Sequence, residues 1–383
     1  MLTSLELEKY RGFQRYRLGA LAPVNLLVGK NNCGKTSLLE AVQFSAAAGH
    51  YEVLFSTAWQ RGEVVAAPGD RDRYGREMHA VLSHFFYGHE LEPGTYFTVR
   101  TGNGLADISV RISDLPDIPD IHEGQQRILP FGDEERSLFE EGVRLGPNLA
   151  IRLDRGGDSD APRTWRLPIS ADGVVPLDAL RPYRRGRSIG RDDVTPVQFI
   201  TPDSLEPRSM SDMWDQVITD GRESEVIEAM RILAPGLTSI HFLSAENAYR
   251  GRAGVLAAFE GSRRRAPLGS YGDGMRRLLA LSLSLIRSEG GVLLVDEIDT
   301  GLHYSIMGDM WRLVTEAARR SNVQVFATTH SSDCVRGLAW LCENHPNLAD
   351  DVAVQKIDCE LEEAVALHAD QITLAVNQGM EVR

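Results

Sequence analysis

Residues 24–40 run Val24-Asn25-Leu26-Leu27-Val28-Gly29-Lys30-Asn31-Asn32-Cys33-Gly34-Lys35-Thr36-Ser37-Leu38-Leu39-Glu40. Val24 with Leu26-Leu27-Val28 makes a short apolar run that predicts a buried strand. Gly29 to Thr36 then fits G-x-x-x-x-G-K-[ST] at every fixed position, and Ser37 onward opens an amphipathic helix. A strand, a glycine-bounded loop and a helix start are what a phosphate needs. The loop's N–H groups wrap the anion, and the helix N-terminus adds partial positive charge. The contacts fall to Gly29, Asn31, Asn32, Cys33, Gly34, Lys35, Thr36 and Ser37. Lys35 reaches the terminal phosphates, the Thr36 hydroxyl ligates Mg²⁺, and Gly34 lets the chain come close.

Two later stretches belong with this loop. Val292-Leu293-Leu294-Val295 ends in Asp296-Glu297, an apolar strand stopping at two acids in the form of a Walker B strand. Asp296 can hold Mg²⁺ and Glu297 can orient and deprotonate an attacking water. Upstream, Ser270-Tyr271-Gly272-Asp273-Gly274 precedes an apolar helix from Leu278 to Ile286. A Ser-x-Gly-x-Gly helix start is a second anion site by the same physics, or else a glycine-rich cap. Val323 to Thr329 is a further strand, running into His330.

The remaining elements follow from periodicity. Leu2, Leu5 and Leu7 mark a first strand, Tyr10-Arg11-Gly12-Phe13 a turn, and Tyr16 and Leu18 the start of a second strand. The first helix ends near Ala48-Gly49, and a helix is predicted at Met78–Tyr87. From 91 to 175 the period changes to two, in four runs at 96–100, 108–112, 149–153 and 165–169, which predicts an antiparallel β lobe. Gly102-Asn103-Gly104 and Gly156-Gly157-Asp158 sit where hairpin turns belong. Asp158-Ser159-Asp160 is turn chemistry, and 113–147 a long loop with a short helix. Arg181 to Arg191 is the densest basic run; a solvated linker is favoured there over a phosphate contact. Val197–Ile200 is a strand, 211–217 and 223–233 are helices, and 237–243 and 254–259 are strands.

With 383 residues the chain exceeds one simple core, and its 43% hydrophobic and 25% charged residues are ordinary for a soluble protein. No apolar run is long enough for a membrane span, and the charged N-terminus lacks the core of a signal peptide. Cys33, Cys334, Cys342 and Cys359 have no metal-type spacing, so a reduced cytoplasm is expected. The net charge of −13 argues against a surface that binds nucleic acid everywhere.

Taken in order, the phosphate loop, Ser270–Gly274, Asp296-Glu297-Ile298-Asp299-Thr300-Gly301-Leu302-His303 and Thr328-Thr329-His330-Ser331 resemble the ABC-type ATPases of the RecF/SMC/OLD group. They resemble most the stand-alone "AAA family" heads of bacterial anti-phage systems, whose N-terminal start Tyr10–Phe13 also resembles. The match covers about 1–50 and 195–340 well and 50–195 in kind. Glu381-Val382-Arg383 also resembles such proteins, with no mechanism attached.

The resemblance implies an α/β fold: an ABC-type P-loop ATPase head with a mixed sheet, an antiparallel β lobe and a helical signature lobe. The expected division is 1–60 and 196–345 as core with the helical lobe, 61–195 as an inserted β lobe, and 346–383 as a tail. ATP and Mg²⁺ are the implied ligands. Ser270, Gly272, Asp273 and Gly274 would cap ATP bound in the opposite subunit of a homodimer, Asp299–His303 would form a D-loop, and His330 would be the switch histidine. The family's Mg²⁺-ligating glutamine has one weak candidate, Gln198. The signature is not Leu-Ser-Gly-Gly-Gln, which argues against a transporter subunit, and no heptad block signals a long coiled coil. The stretch after His330 is too short for a nuclease domain, so a separate effector or nuclease subunit is the expected partner. Two rival expectations stand beside this: a RecF-like ATPase that clamps DNA in repair, and an ATP-gated scaffold with negligible turnover.

Overall fold

The computed structural model describes residues 1–66, 78–113, 126–128, 145–154, 163–170, 173–176, 194–203, 205, 207–243, 254–262 and 264–379. The basic run 181–191, the turn at 158–160, most of 113–147 and the last four residues lie outside these.

The chain opens on a hairpin. β1 (Leu5–Tyr10) and β2 (Phe13–Leu18) run antiparallel with Tyr10 opposite Phe13. The turn is thus Arg11-Gly12, and Tyr16 and Leu18 finish the second strand instead of starting it. β3 (Val24–Val28) follows, then the glycine loop, α1 (Lys35–Ala46) and α2 (Tyr51–Gln60). Next come β4 (Val64–Ala66), β5 (Met78–Val81), β6 (Tyr96–Thr101), β7 (Asp107–Ser113), β8 (Gln126–Ile128), β9 (Leu145–Asp154), β10 (Arg163–Ser170) and β11 (Val174–Pro176). All four period-two runs are strands, and they join the opening hairpin in one sheet ordered β2-β1-β6-β7-β9-β10-β8, antiparallel except for the β8 edge. Met78–Tyr87 is not a helix. Its first residues form β5, between β4 and β11, and the rest makes two 3₁₀ turns that bury Leu82 and Phe85. One of its two partner strands, β11, is nearly a hundred residues away, so no local pattern could show that pairing.

The second sheet is built from both ends of the chain. It adds β12 (Val197–Ile200), β16 (Val292–Val295), β17 (Gln324–Thr328), β18 (Val352–Lys356) and β19 (Val365–Leu367), in the order β12-β16-β17-β3-β18-β19. Every neighbour is parallel except β19. β3, β16 and β17 are buried throughout because both faces are covered, which is why they are continuous apolar runs. Val24, Leu26, Leu293, Val295, Val325 and Ala327 face one core, and Leu27, Leu294 and Phe326 face the other. That other core holds α1 and the inner face of the seven-stranded sheet.

The first core is roofed by α3 (Pro207–Thr219), α4 (Glu223–Met230) and α5 (Asp273–Arg287), with a small sheet of β13 (Leu237–Phe242), β14 (Val255–Phe259) and β15 (Ala266–Pro267). α6 (Met307–Arg320), α7 (Ser332–Asn344), α8 (Pro346–Ala349) and α9 (Ala369–Asn377) complete that side. This is the mixed sheet, antiparallel sheet and signature-bearing helical lobe expected of an ABC-type head. Two buried amides tie the start of the chain to it. Gln324 donates to the carbonyls of Leu2 and Ala22 and accepts from Leu2 N, while the Asn25 amide donates to Ala22 O. No helix among the described residues is long and apolar enough to cross a membrane, and all four cysteines are free thiols.

Candidate nucleotide site

Three parallel strands, β3, β16 and β17, end at the same edge and deliver Gly29, Asp296 and His330 to it. After β3 the chain leaves the strand at Gly29, with φ 150°. A Cβ there would lie 2.3 Å from the Ile357 carbonyl oxygen, so the position has room only for glycine. Gly34, with φ 86°, turns the loop into α1. Its missing Cβ leaves space that the Phe13 ring of the opening hairpin fills, since a Cβ would meet that ring at 2.4 Å. Asn32, at φ 61°, makes the third left-handed turn of the loop, while Lys30 and Asn31 are exposed at its tip and Cys33 is buried beneath it. Lys35 Nζ donates to the carbonyls of Gly29 and Lys30 at 2.8 and 2.9 Å. Burial holds its pKa below the ordinary lysine value, against the pull of Cys33, Asp296 and Glu297.

Thr36 and Asp296 are brought together. The Thr36 hydroxyl donates to Asp296 Oδ2 at 3.1 Å, and Thr328 donates to Asp296 Oδ1 at 2.5 Å. The same Thr328 oxygen accepts from Glu297 N at 2.8 Å. Glu297 stands at φ 49°, an unusual conformation for a residue with a side chain. It persists because its surroundings over-determine it. One guanidinium, that of Arg277 on α5, donates to the carbonyls of Asp296, Glu297 and Thr201 at 2.7, 2.8 and 2.6 Å. Arg277 is 2% exposed, and burial brings its pKa down to about 10 despite the nearby Asp299, Asp296 and Glu297. Thr300 donates to Glu297 Oε2 at 3.3 Å, and Thr329 to Asp299 Oδ1 at 2.6 Å. His330 is exposed two residues beyond β17, and Ser331 then caps α7.

Two expected site residues are placed otherwise. Gln198 pairs with Leu293 in the middle of β12, three positions short of Asp296; the residue level with Asp296 is Thr201. A strand advances about 3.3 Å per residue, so Gln198 stands roughly 10 Å back from the carboxylates. The signature segment is split. Ser270 is exposed in a 3₁₀ turn, Gly272 opens the helix at φ 93°, and Asp273 is exposed at its first position. Gly274, however, backs onto the turn after Asp299 in its own chain: a Cβ there would sit 2.8 Å from the Gly301 carbonyl oxygen. Ser270 to Asp273 are therefore exposed, while Gly274 serves the close packing of α5 on Gly301 of its own chain.

The sequence by itself gives Arg277, Thr328 and Thr329 no role. Arg277 follows another arginine in an amphipathic helix, and nothing local says which one turns inward. Thr328 and Thr329 belong to the motif that carries the resemblance, but nothing local gives their hydroxyls the partners Asp296, Glu297 and Asp299.

The arrangement is a glycine-bounded phosphate loop whose Thr36 hydroxyl is hydrogen-bonded to the acid that ends the neighbouring apolar strand. A family described as "AAA domain, putative AbiEii toxin, Type IV TA system" matches residues 24–333. The chain is similar to an ATP/GTP phosphatase of Helicobacter pylori, 19% identical over 356 residues covering 88% of this chain and 86% of that protein. It also matches 78 residues of ABC transporter A family member 10 of Arabidopsis thaliana at 33% identity, which is 20% of this chain and 8% of that one. Among solved structures it is similar to an SmcHead bound to the C-winged helix domain of ScpA, at TM-score 0.46 and 14% identity over 96% of this chain and 98% of that one. With the match running from β3 past His330, the chain belongs to this AAA-domain family and is a P-loop ATPase.

Proposed function

We propose that the chain hydrolyses ATP with Mg²⁺ in a homodimer whose cycle controls a separate effector, a nuclease, in anti-phage defence. The observation that carries the chemistry is the Thr36–Asp296–Thr328 hydrogen-bond chain beside a conformationally locked Glu297. A hydroxyl and a carboxylate oxygen are hard ligands and fit Mg²⁺. Bound there, Mg²⁺ would neutralise charge on the terminal phosphates. Lys35 and the N–H groups of 29–37 hold the triphosphate. Glu297 takes the proton of the attacking water, and Arg277 and Thr328 fix its backbone. His330 senses the terminal phosphate. Exposed Ser270, Gly272 and Asp273 of one subunit cap ATP held in the other.

Glu297→Gln is expected to keep ATP binding and lower turnover about 10²- to 10⁴-fold, the size of a general-base contribution. Lys35→Ala is expected to weaken binding itself. Wild-type turnover in Glu297→Gln would remove the assigned base. The effector reading draws support from the family description, which names a toxin system. Phage plating on cells carrying the native locus tests it: Lys35→Ala should abolish protection, and undiminished protection would end that reading.

DNA binding is a second reading, favoured by one surface. The outward face of the seven-stranded sheet exposes Arg15, Arg17 and Arg100 at 65%, 56% and 56%, each paired with a glutamate of the same surface, Glu6, Glu363 and Glu8, that DNA phosphates would have to displace. Lys9 and Arg111 join them, both over the Tyr96 ring. If duplex DNA binds there, replacing Arg15, Arg17 and Arg100 by alanine lowers the salt slope by about 0.9 for each phosphate no longer neutralised. An unchanged slope would exclude this face.

A further inference from the structure

The turn that carries His330 holds a buried hydroxyl that the proposed chemistry does not use. Thr329 stands between β17 and His330 and is 1% exposed. Its Oγ1 donates to Asp299 Oδ1 at 2.6 Å and accepts from the backbone N–H of Ser331 at 2.9 Å. Its own N–H donates to the Leu27 carbonyl at 3.3 Å, two residues ahead of Gly29. His330 is therefore enclosed. A bond from the side chain of residue 329 to the backbone of residue 331 closes a ring around its peptide groups, and one side of that ring is tied to the strand that opens the phosphate loop.

Helix α7 does not need this ring. Ser331 caps it, with Oγ accepting from Asp333 N and Cys334 N at 3.2 and 3.3 Å, and Trp311 Nε1 donates to the Cys334 carbonyl in its first turn. Asp299 reaches the Thr329 hydroxyl from the turn after Glu297, where its own carbonyl accepts from Leu302 N at 3.0 Å. A carboxylate fixes the direction of the hydroxyl proton, which leaves an oxygen lone pair for Ser331 N. A carboxylate and a buried hydroxyl are thus spent on the backbone of one exposed residue, and what they fix is the direction in which the His330 side chain leaves the chain. Ordering such a residue in advance adds affinity only for a ligand that the residue itself touches.

We propose that Thr329 and Asp299 are positioning residues for His330: the Thr329 hydroxyl closes the turn that aims the imidazole at the terminal phosphate of ATP, and Asp299 orients that hydroxyl. This rests on the reading of His330 as the residue that senses the terminal phosphate. ADP lacks that phosphate, so the pair contributes to the preference for ATP over ADP and not to the affinity for ADP.

The test is the Kd of ADP and of the non-hydrolysable β,γ-imido analogue of ATP, each with Mg²⁺, by calorimetry. The proteins are wild type, His330→Ala, Thr329→Val, Thr329→Ser, Asp299→Ala and the Thr329→Val/His330→Ala double variant. A hydrogen bond to a charged group corresponds to about 10- to 100-fold in Kd, and His330→Ala should lose that for the analogue and nothing for ADP. Thr329→Val should weaken the analogue about 5- to 10-fold, because a donor on a released backbone keeps only part of its bond, and should leave ADP unchanged. Thr329→Ser keeps the hydroxyl and should bind both nucleotides like the wild type. Asp299→Ala frees the hydroxyl without removing it, and should lose less than Thr329→Val in the same direction; it carries the test if Thr329→Val does not fold. The double variant should be no weaker than His330→Ala, since Thr329 acts on nucleotide only through His330. Wild-type analogue affinity in Thr329→Val, with His330→Ala weakened, overturns this proposal alone. Full additivity in the double variant also overturns it. So does an equal loss for ADP and analogue, which would mark damage to the phosphate loop through Leu27. Wild-type analogue affinity in His330→Ala would instead overturn the reading of His330, and the proposal with it.

Discussion

Arg277 holds the Asp296-Glu297 turn without touching a carboxylate. Its three bonds go to backbone carbonyls of Thr201, Asp296 and Glu297, so it ties α5 to the ends of β12 and β16 at one point. Arg277→Met keeps the bulk and removes the donors. Buried acceptors left unpaired cost about 1–3 kcal/mol, and Glu297 at φ 49° loses a restraint. The expected outcome is a stability loss of that size in urea denaturation and a fall in kcat that exceeds any rise in the nucleotide Kd. A kcat at the wild-type level would show that Thr328 alone suffices. Lys35 offers a pH test. Burial lowers its pKa in the free protein, and a bound triphosphate favours the ammonium and raises it. Binding then takes up protons. Affinity is fully present below the free-state pKa and falls as pH rises through it toward the bound value. Calorimetry in buffers of different ionisation enthalpy on the alkaline side should record net proton uptake that Lys35→Ala abolishes; no uptake would mean that the ammonium keeps its ordinary pKa.

Helix contacts explain where small residues are required. α6 and α7 cross at Gly308 and Gly337. A Cβ on Gly337 would stand 2.5 Å from Met307 Cβ and 2.9 Å from its backbone carbon, while one on Gly308 would meet the Trp340 ring at 2.3 Å. The two are not equivalent. Trp340 is 40% exposed and can swing away, but the Met307 backbone cannot. Alanine gains about 1 kcal/mol of helix propensity over glycine, and overpacking costs about 1–3 kcal/mol. Gly337→Ala should therefore lower the melting temperature, and Gly308→Ala should leave it nearly unchanged; the reverse order would mean that the helices slide apart freely. The same reasoning applies to Gly274 against Gly301. A carboxylate at 274 would strain α5 and the turn at Gly301 together, so Ser270, exposed in its 3₁₀ turn, is the sound position for testing the proposed signature.

In the proposed dimer each subunit supplies what the other lacks, as a two-fold axis allows. ATP then stabilises the closed pair by linkage: at a hundredfold excess over Kd, a form that alone binds ligand gains about 2.7 kcal/mol per site. Glu297→Gln with ATP should be the tightest dimer in sedimentation, and ADP should loosen it. Ser270→Asp should abolish the ATP-dependent tightening while nucleotide binding stays intact, because a carboxylate would then face the triphosphate. Equal sedimentation of Glu297→Gln with ATP, with ADP and without nucleotide would leave a constitutive oligomer. Full activity in Ser270→Asp would take the signature out of the mechanism.

What the sequence determined by itself was everything carried by contiguous residues. The phosphate loop is legible because strand, glycines, Lys35 and Thr36 are neighbours in the chain, and Asp296-Glu297 because an apolar run stops at them. The period-two runs are legible because alternation is local. Tertiary structure alone decided the rest. β5 needed a partner from 174–176, and its three-stranded sheet overrode the helical reading of 78–87. Gln198 carries the right side chain at the wrong height on β12, which only the register with β16 reveals. Arg277, Arg11, Glu40 and Arg61 look like surface charges in the sequence. They are buried or half-buried because their partners arrive from distant segments, and a polar group can leave water only where folding brings it a partner.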